Sequence, residues 1–283
     1  MPPRKNIFTA GMLNGKSIHF CLLFLFLLLT TISASAQRKY RPGIRETVSS
    51  GFFLKTHLVQ LKEGVFSPLR YHGPSAEINY VTLRYPGDFR RSLEIGAQSG
   101  YLINRLELGG WHLAPHLSMS YSYNIEGASS GDLNTFLGAR LSGNSRMVFF
   151  TGEDPHHLYW VTAYTLGLIC VADIELTRDR MMFFEISIPL AGAVSRPPGG
   201  ERSSYQVMER GSIIKRLHED PVFSTFDNLQ AANIKLMVDI SRTNRGSLTL
   251  GYEADFLRFA GPEPVTYLNN GLFLRVFFDS HIW

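Results

Sequence analysis

Apolar and polar side chains alternate along most of this chain. From Trp111 to Ile125, nearly every odd position is apolar or aromatic and nearly every even position is polar or small. The same alternation recurs at 234–240, 248–256 and 272–278. A strand places alternate residues on opposite faces, whereas a helix would scatter both sets around its circumference. The pattern therefore predicts long β-strands, each with one apolar and one polar face.

Turn residues divide the alternating stretches into about ten strands. Short turns at 86–88, 177–180 and 244–246 would join strands on one side, and longer connections at 62–74, 152–157 and 194–230 would join them on the other. This asymmetry is typical of an even-stranded outer-membrane barrel with short periplasmic turns and longer outer loops. We expect an all-β fold, an antiparallel transmembrane β-barrel of about ten strands within a range of roughly eight to twelve. The predicted strands are 50–61, 75–86, 90–101, 111–125, 133–150, 158–174, 180–192, 231–242, 247–259 and 267–279.

A secreted β-sandwich would alternate in the same way, but strand length and charge placement favour the barrel. Several predicted strands exceed the globular mean of about five or six residues and match the nine to eleven or so that a tilted membrane strand needs. Aromatic residues near the strand ends could form interfacial girdles: Phe52, Phe53, Phe89, Tyr101, Trp111, Tyr159, Trp160, Phe259 and Tyr267. Nine charged residues on the polar faces would line the lumen as a network of both signs: Glu94, Arg140, Asp173, Glu185, Lys235, Asp239, Glu253, Asp255 and Arg275.

The N-terminal region reads as a secretory signal peptide. An apolar run at 20–29 follows Lys16, and Ala34-Ser35-Ala36 precede Gln37. The run is half of the roughly 20 residues that a spanning helix requires, and the small residues fit the cleavage rule. We expect residues 1–36 to be cleaved, leaving 37–283 as a single barrel domain with a long outer loop at about 194–230 and a location in the bacterial outer membrane.

Net charge and cysteine content exclude several classes of function. Of 28 basic and 24 acidic residues, three basic and no acidic ones precede residue 37, so the remainder carries 25 minus 24, or +1. No basic patch then argues for nucleic acid as a partner. Only Cys170 survives cleavage, which excludes an internal disulfide and a CxxC metal site. No phosphate-binding or common hydrolase motif occurs, so we expect no metal and no cofactor.

The ends of the predicted mature chain carry a resemblance to a known class. With its signal ending Ala34-Ser35-Ala36-Gln37 and its final strand at 271–278, the sequence resembles the outer-membrane β-barrel proteins of Bacteroidetes-type bacteria. The resemblance covers the whole chain as a pattern and rests on no specific motif. It implies a barrel in the outer membrane, in a class that includes channels, secretion-system parts and lipid-modifying enzymes.

The sharpest catalytic candidates are His116 and Ser118. Their spacing of two puts both on one face of a strand, where a histidine could accept the serine proton. Outer-membrane phospholipases and lipid A deacylases look similar, but their site faces the lipid, whereas His116 and Ser118 lie on the polar face. Asn124 is about 20 Å from Ser118 along an extended strand, too far to complete a triad.

Three functions follow from these patterns, in decreasing order of support. The first is a structural or interaction protein, not an enzyme, whose interior is self-plugged and whose outer loops, above all 194–230, meet a protein partner. In that loop, Met208, Ile213, Ile214 and Leu217 could form one face of a short helix over or in the barrel mouth. The second is a narrow solute channel, and the third is an outer-membrane lipid hydrolase. In each case the lipid bilayer is the surrounding medium.

Overall fold

The computed structural model describes residues 47–63, 67–151, 158–177, 180–196, 215, 217–218, 221–243, 246–260 and 264–281. The predicted signal peptide, 1–36, lies outside these residues. One turn of 3-10 helix spans Glu126–Ala128, and no helix of the described residues is long and apolar enough to cross a membrane. The strands are β1 (Thr47–Glu63), β2 (Ser67–Arg84), β3 (Phe89–Ile103), β4 (Gly109–Asn124), β5 (Leu133–Phe150), β6 (Leu158–Thr177), β7 (Arg180–Ser195), β8 (Val222–Thr225), β9 (Leu229–Thr243), β10 (Gly246–Phe259) and β11 (Val265–His281).

Ten of these strands close into an antiparallel barrel. Each pairs with its neighbours in chain order, and β1 pairs with β11 to close the circle. Strand β7 pairs with β9 over Met182–Ser187, and the short β8 takes over along Ala191–Val194 of β7. Strands β8 and β9 therefore lie end to end along β7. The prediction of an all-β, antiparallel barrel of about ten strands is confirmed.

Two predicted loops are shorter in the structure. Strand β2 begins at Ser67, so the expected 62–74 connection shrinks to 64–66. Pro74, the last residue of the expected connection, lies within β2 opposite Leu58 of β1, and the β2–β3 ladder passes from His72 to Ser75 without pairing it. Because proline only lacks a donor, a gap in one ladder accommodates it. The 194–230 loop likewise contains β8, and most of its remainder lies outside the described residues.

The two ends of the barrel differ in their connections. The turn end carries the first described residue, the end of β11 and the connections 85–88, 125–132, 178–179 and 244–245. The loop end carries the connections after β1, β3, β5, β7 and β10.

The lumen is filled in layers. At the loop end, fifteen buried residues form one apolar cluster: Val59, Leu61, Tyr71, Leu102, Val148, Phe150, Tyr159, Val161, Ala163, Val194, Leu229, Leu257, Phe259, Val265 and Tyr267. At the turn end, apolar clusters are built around the rings of Phe53, Phe136 and Phe183. Between them on β1 stand Lys55 and His57, both buried. A polar layer therefore lies between two layers of apolar side chains that also enclose buried charges, Arg146 beside the Tyr267 ring at the loop end and Arg275 among the rings of Phe53, Phe183 and Phe277 at the turn end.

The outer wall presents an apolar belt. On β1, Phe52, Leu54 and Leu58 are at least half exposed, and the half-buried polar residues Ser50 and Gln60 bound this stretch. The span from Ser50 to Gln60 is about 33 Å along the strand, or about 25 Å in height for a strand tilted by about 40°. That height equals the apolar band of an outer-membrane barrel, about 25 Å.

The predicted aromatic girdle is wrong for four of its residues. Phe53, Tyr159, Phe259 and Tyr267 are buried in the lumen layers, where bulky rings fill the bore. The girdle prediction rests on the position of these residues near strand ends, whereas the alternation along each strand directs their side chains inward. Phe52, Tyr101 and Trp111 are exposed on the outer wall, and Phe89 packs against the rings of Tyr121 and Tyr123 there.

Trp160 also belongs to the outer wall, but it is covered. It packs with Met147, Leu158 and Leu217, and the hydroxyl of Tyr164 lies 2.8 Å from Nδ1 of His218. Leu217 therefore packs on the outside of β5 and β6, and its expected placement over or in the barrel mouth is wrong. Met208, Ile213 and Ile214 lie outside the described residues.

Candidate functional site

A buried lysine stands at the centre of the polar layer. Lys55 Nζ lies 2.8 Å from Glu77 Oε1, 3.2 Å from Glu94 Oε1 and 2.7 Å from Glu253 Oε2. The strand register explains part of this arrangement, because Lys55 of β1 pairs directly with Glu77 of β2. Glu94 of β3 and Glu253 of β10 reach the ammonium from farther around the barrel. One cation thus joins four strands.

Three more cations, Lys235, Arg140 and Arg90, enlarge this group of ion pairs. Lys235 Nζ lies 2.7 Å from Glu94 Oε2 and 3.7 Å from Glu253 Oε1. Glu185 receives a hydrogen bond from Arg140 Nη1 at 2.9 Å and lies 3.5 Å from Arg90 Nη2. We call the set the central network, and its four acids and four bases balance: Lys55, Glu77, Arg90, Glu94, Arg140, Glu185, Lys235 and Glu253.

The structure places all nine predicted lumen charges inside the barrel, but not in one cluster. Five belong to the central network: Glu94, Arg140, Glu185, Lys235 and Glu253. Asp255 pairs with Arg146 at 2.8 Å toward the loop end. Toward the turn end, Tyr85 donates to Asp173 at 3.0 Å, Thr249 donates to Asp239 at 2.7 Å, and Arg275 donates to the same Thr249 oxygen at 3.1 Å.

Sequence reasoning missed Lys55, Glu77, Arg90 and Arg146. The signal for Lys55 was present in β1, because its neighbours Phe52, Leu54 and Leu58 form an alternating outward set that leaves Lys55 inside. Glu77 lies beside the outward Ile78 in the same way. Strict use of the alternation in every strand would have found both residues. The contact of Lys55 with Glu253 depends on barrel closure and is not visible in one strand.

The candidate catalytic residues His116 and Ser118 both lie on the lumen side of β4. His116 Nε2 lies 3.8 Å from Glu77 Oε1 and 4.0 Å from Glu94 Oε1, whereas Ser118 Oγ accepts a hydrogen bond from Arg140 Nη2 at 3.0 Å. Asn124 accepts a bond from Ser129 at the turn end. His116 and Ser118 therefore both contact members of the central network, but no described contact joins one to the other, and Asn124 lies apart from them at the turn end.

Glu77, Glu94 and His116 have the residue types of a metal site. Their ligand atoms lie within 4.8 Å of one another, and carboxylate and imidazole suit zinc and similar ions. The Lys55 ammonium, however, already contacts both carboxylates at 2.8 and 3.2 Å. A divalent ion would have to displace that ammonium, so the cluster acts as an internal ion-pair site.

Small cavities remain among the lumen side chains. One of about 110 Å³ lies beside the central network and reaches Asn269 and Tyr267. Another, of about 230 Å³, lies at the turn end and is lined by Tyr85, Phe136 and Asp173 among others. Both are pockets between packed side chains and are below the usual size of a ligand site, about 300–1,000 Å³.

Comparison with known proteins identifies no family. No family model matches the sequence, and no curated protein matches it. The outer membrane protease OmpT from Escherichia coli is similar in structure, with a TM-score of 0.48 and 6% identity over 86% of this chain and 99% of that one. The translocator domain of the autotransporter NalP from Neisseria meningitidis has a TM-score of 0.40 and 10% identity, covering 93% and 97% of the two chains. Neisserial surface protein A has a TM-score of 0.32 and 14% identity, covering 81% and 97%. Similarities at this level support no inference about what this chain does.

Proposed function

We propose that this protein is a closed β-barrel of the bacterial outer membrane, of structural or interaction type. It would act through its outer wall and its loop-end segments and would pass no solutes through the lumen. The Bacteroidetes-type resemblance of its signal ending and final strand is part of this proposal, and so is export through a cleaved signal peptide.

The membrane location is supported by the outer wall. The exposed apolar belt is about 25 Å high, which is the apolar thickness that an outer-membrane barrel presents to lipid. A wall of leucine, isoleucine and aromatic side chains around a closed barrel is far larger than the apolar patches that proteins in water expose. The predicted N-terminal signal peptide and β-strands as spanning elements agree with the outer membrane.

The filled lumen is the observation that carries the proposal. A ten-stranded barrel is little wider than an eight-stranded one, whose interior side chains can fill. Here the central network crosses the bore, and on both sides of it packed apolar side chains fill the lumen together with buried charges such as Arg146 and Arg275. A water-filled channel would need an open path along the bore, and these packed side chains occupy it.

Because the lumen is closed, a protein partner would bind to the surface near the loop end. Strand β8 belongs to the 194–230 segment, and on it Val222 is 53% exposed and Phe223 is 71% exposed. Leu217 and His218 attach another part of this segment to the outer wall of β5 and β6. We propose that the protein partner binds to this segment.

Single-channel recording tests the proposal. The refolded mature chain, 37–283, is inserted into a planar bilayer after its heat-modifiable migration on a gel has shown that it is folded. We expect no discrete conductance steps, either from the wild type or from the double variant Glu253→Ala, Asp255→Ala, because the apolar layers remain. Steps from the wild type would contradict the closed lumen, and steps from the double variant alone would show that the charges, and not the apolar layers, form the plug.

A further inference from the structure

A row of basic side chains crosses the outer wall at the loop end. Lys62 of β1 pairs with Arg70 of β2 and with Thr266 of β11, and Thr266 pairs with Arg258 of β10. The three basic side chains are exposed. At about 4.8 Å between strands, the row from Arg70 to Arg258 is about 14 Å long.

On β1 and β2, one row of outward positions separates this row from the apolar belt. The next outward positions toward the turn end are His72, Gln60, Leu268 and Phe256, and Leu58 of the belt follows on β1. In a barrel that spans a membrane, side chains at this height meet lipid headgroups. The row therefore lies where anionic headgroups of the loop-end leaflet would contact it.

Within the part of the barrel that the structure describes, the basic residues of the row have no counter-ion. Among the described residues, no acidic side chain forms an ion pair with Arg70, Lys62 or Arg258, and the outward positions of this row and the next hold no acid. Elsewhere in the same barrel, buried cations such as Lys55 each contact several carboxylates. Arg70 and Lys62 lie side by side and repel each other, Arg258 lies two strands farther along the row, and an external anion would relieve the repulsion.

We infer that Arg70, Lys62 and Arg258 form a binding site for a phosphate-bearing lipid headgroup in the leaflet at the loop end. Arginine binds phosphate with two parallel hydrogen bonds, and lysine contributes a point charge. Thr266 Oγ1, between Lys62 and Arg258 in the row, can donate a further hydrogen bond. A headgroup with more than one phosphate can contact several of these groups at once. This inference rests on the proposed membrane location.

The barrel offers a matched control at its other end. Arg84 of β2 pairs with Arg91 of β3 on the outer wall near the turn end, and the Arg91 guanidinium lies 5.0 Å from the ring centre of Tyr121. These two cations would face the opposite leaflet. Replacing them removes a similar charge without touching the loop-end row.

The test measures lipid binding to the folded full mature chain in detergent micelles by native mass spectrometry. The probes are lipid A with two phosphates and the same lipid with one phosphate removed. The triple variant Arg70→Gln, Lys62→Gln, Arg258→Gln should bind the two-phosphate lipid about 100-fold more weakly than the wild type does, and each single variant about fivefold more weakly. The double variant Arg84→Gln, Arg91→Gln should bind within about twofold of the wild type, since it leaves the row intact.

Equal binding by the wild type and the triple variant would overturn the inference, and so would an equal loss in the Arg84, Arg91 variant. Removal of one phosphate should weaken lipid binding by the wild type and leave lipid binding by the triple variant unchanged. If the wild type binds both lipids equally, the lipid is held through its acyl chains alone, which contradicts the inference. Heat-modifiable migration of each variant reports folding separately. Failure of the wild type to insert into vesicles would contradict the proposed membrane barrel, whereas insertion without phosphate-dependent binding contradicts this site alone.

Discussion

Replacing Lys55 with methionine should strongly destabilise the barrel. Methionine keeps much of the side-chain length but removes an ammonium within 3.2 Å of three carboxylates. Lys55 is 3% exposed, so water cannot take its place. Removing one partner of a buried ion pair costs about 3–5 kcal/mol because the other charge is left uncompensated. Here Lys235 still contacts Glu94 and Glu253, but Glu77 loses its nearest cation, so we expect a loss of about 4 kcal/mol in the free energy of unfolding.

Urea unfolding of the barrel in lipid vesicles, followed by tryptophan fluorescence, measures this loss. The exposed Lys215→Met variant is the control and should change the free energy of unfolding by less than about 0.5 kcal/mol. The double variant Lys55→Met, Glu77→Gln removes one of the stranded charges and should recover part of the loss, which a double-mutant cycle quantifies. A loss below about 1 kcal/mol in Lys55→Met, the value of a surface pair, would refute the assignment of Lys55 as the centre of the network.

Three further substitutions test the wall, the close packing and the covered patch. Leu272→Arg, at a 60% exposed position of the belt, should cost about 2–4 kcal/mol in vesicle unfolding, and no cost would argue against lipid contact. Gly271→Ala should lower the free energy of unfolding by about 1–3 kcal/mol, because an added Cβ would clash with Thr56 O and His57 Nδ1. An unchanged free energy of unfolding would show that strands β1 and β11 are less closely packed at Gly271. In a background with Trp111→Phe and Trp283→Phe, Leu217→Ala should shift Trp160 emission to the red in the folded barrel as its cover is lost, and an unchanged spectrum would place Leu217 elsewhere.

Alternation along the strands was enough to predict the fold, because a period of two is a local property that each strand shows by itself. The bounds of β4 and β5 differ from those predicted by at most two residues. The predicted start of β2 was wrong because Pro74 is a local breaker signal, and the gap in the β2–β3 ladder that tolerates it depends on the neighbouring strand.

The interior was harder to predict for a different reason. Alternation sends Glu94, Lys235 and Glu253 to the lumen, but it does not say which charges meet. The contact of Lys55 with Glu253 joins residues 198 positions apart and exists only because β11 closes on β1. The side of the wall on which Leu217 packs is likewise a property of the assembled barrel.

Cysteine accessibility along β1 tests the central claim, a lipid-facing wall around a closed lumen, most directly. Single cysteines are placed at Phe53, Leu54, Leu58 and Val59 in a Cys170→Ser background, and the barrel in vesicles is exposed to a charged, water-soluble maleimide and to a lipid-soluble one. We expect the outward positions 54 and 58 to react only with the lipid-soluble reagent and the inward positions 53 and 59 to react with neither. Reaction of 53 or 59 with the water-soluble reagent would show an open lumen, and reaction of 54 or 58 with it would show that the wall faces water.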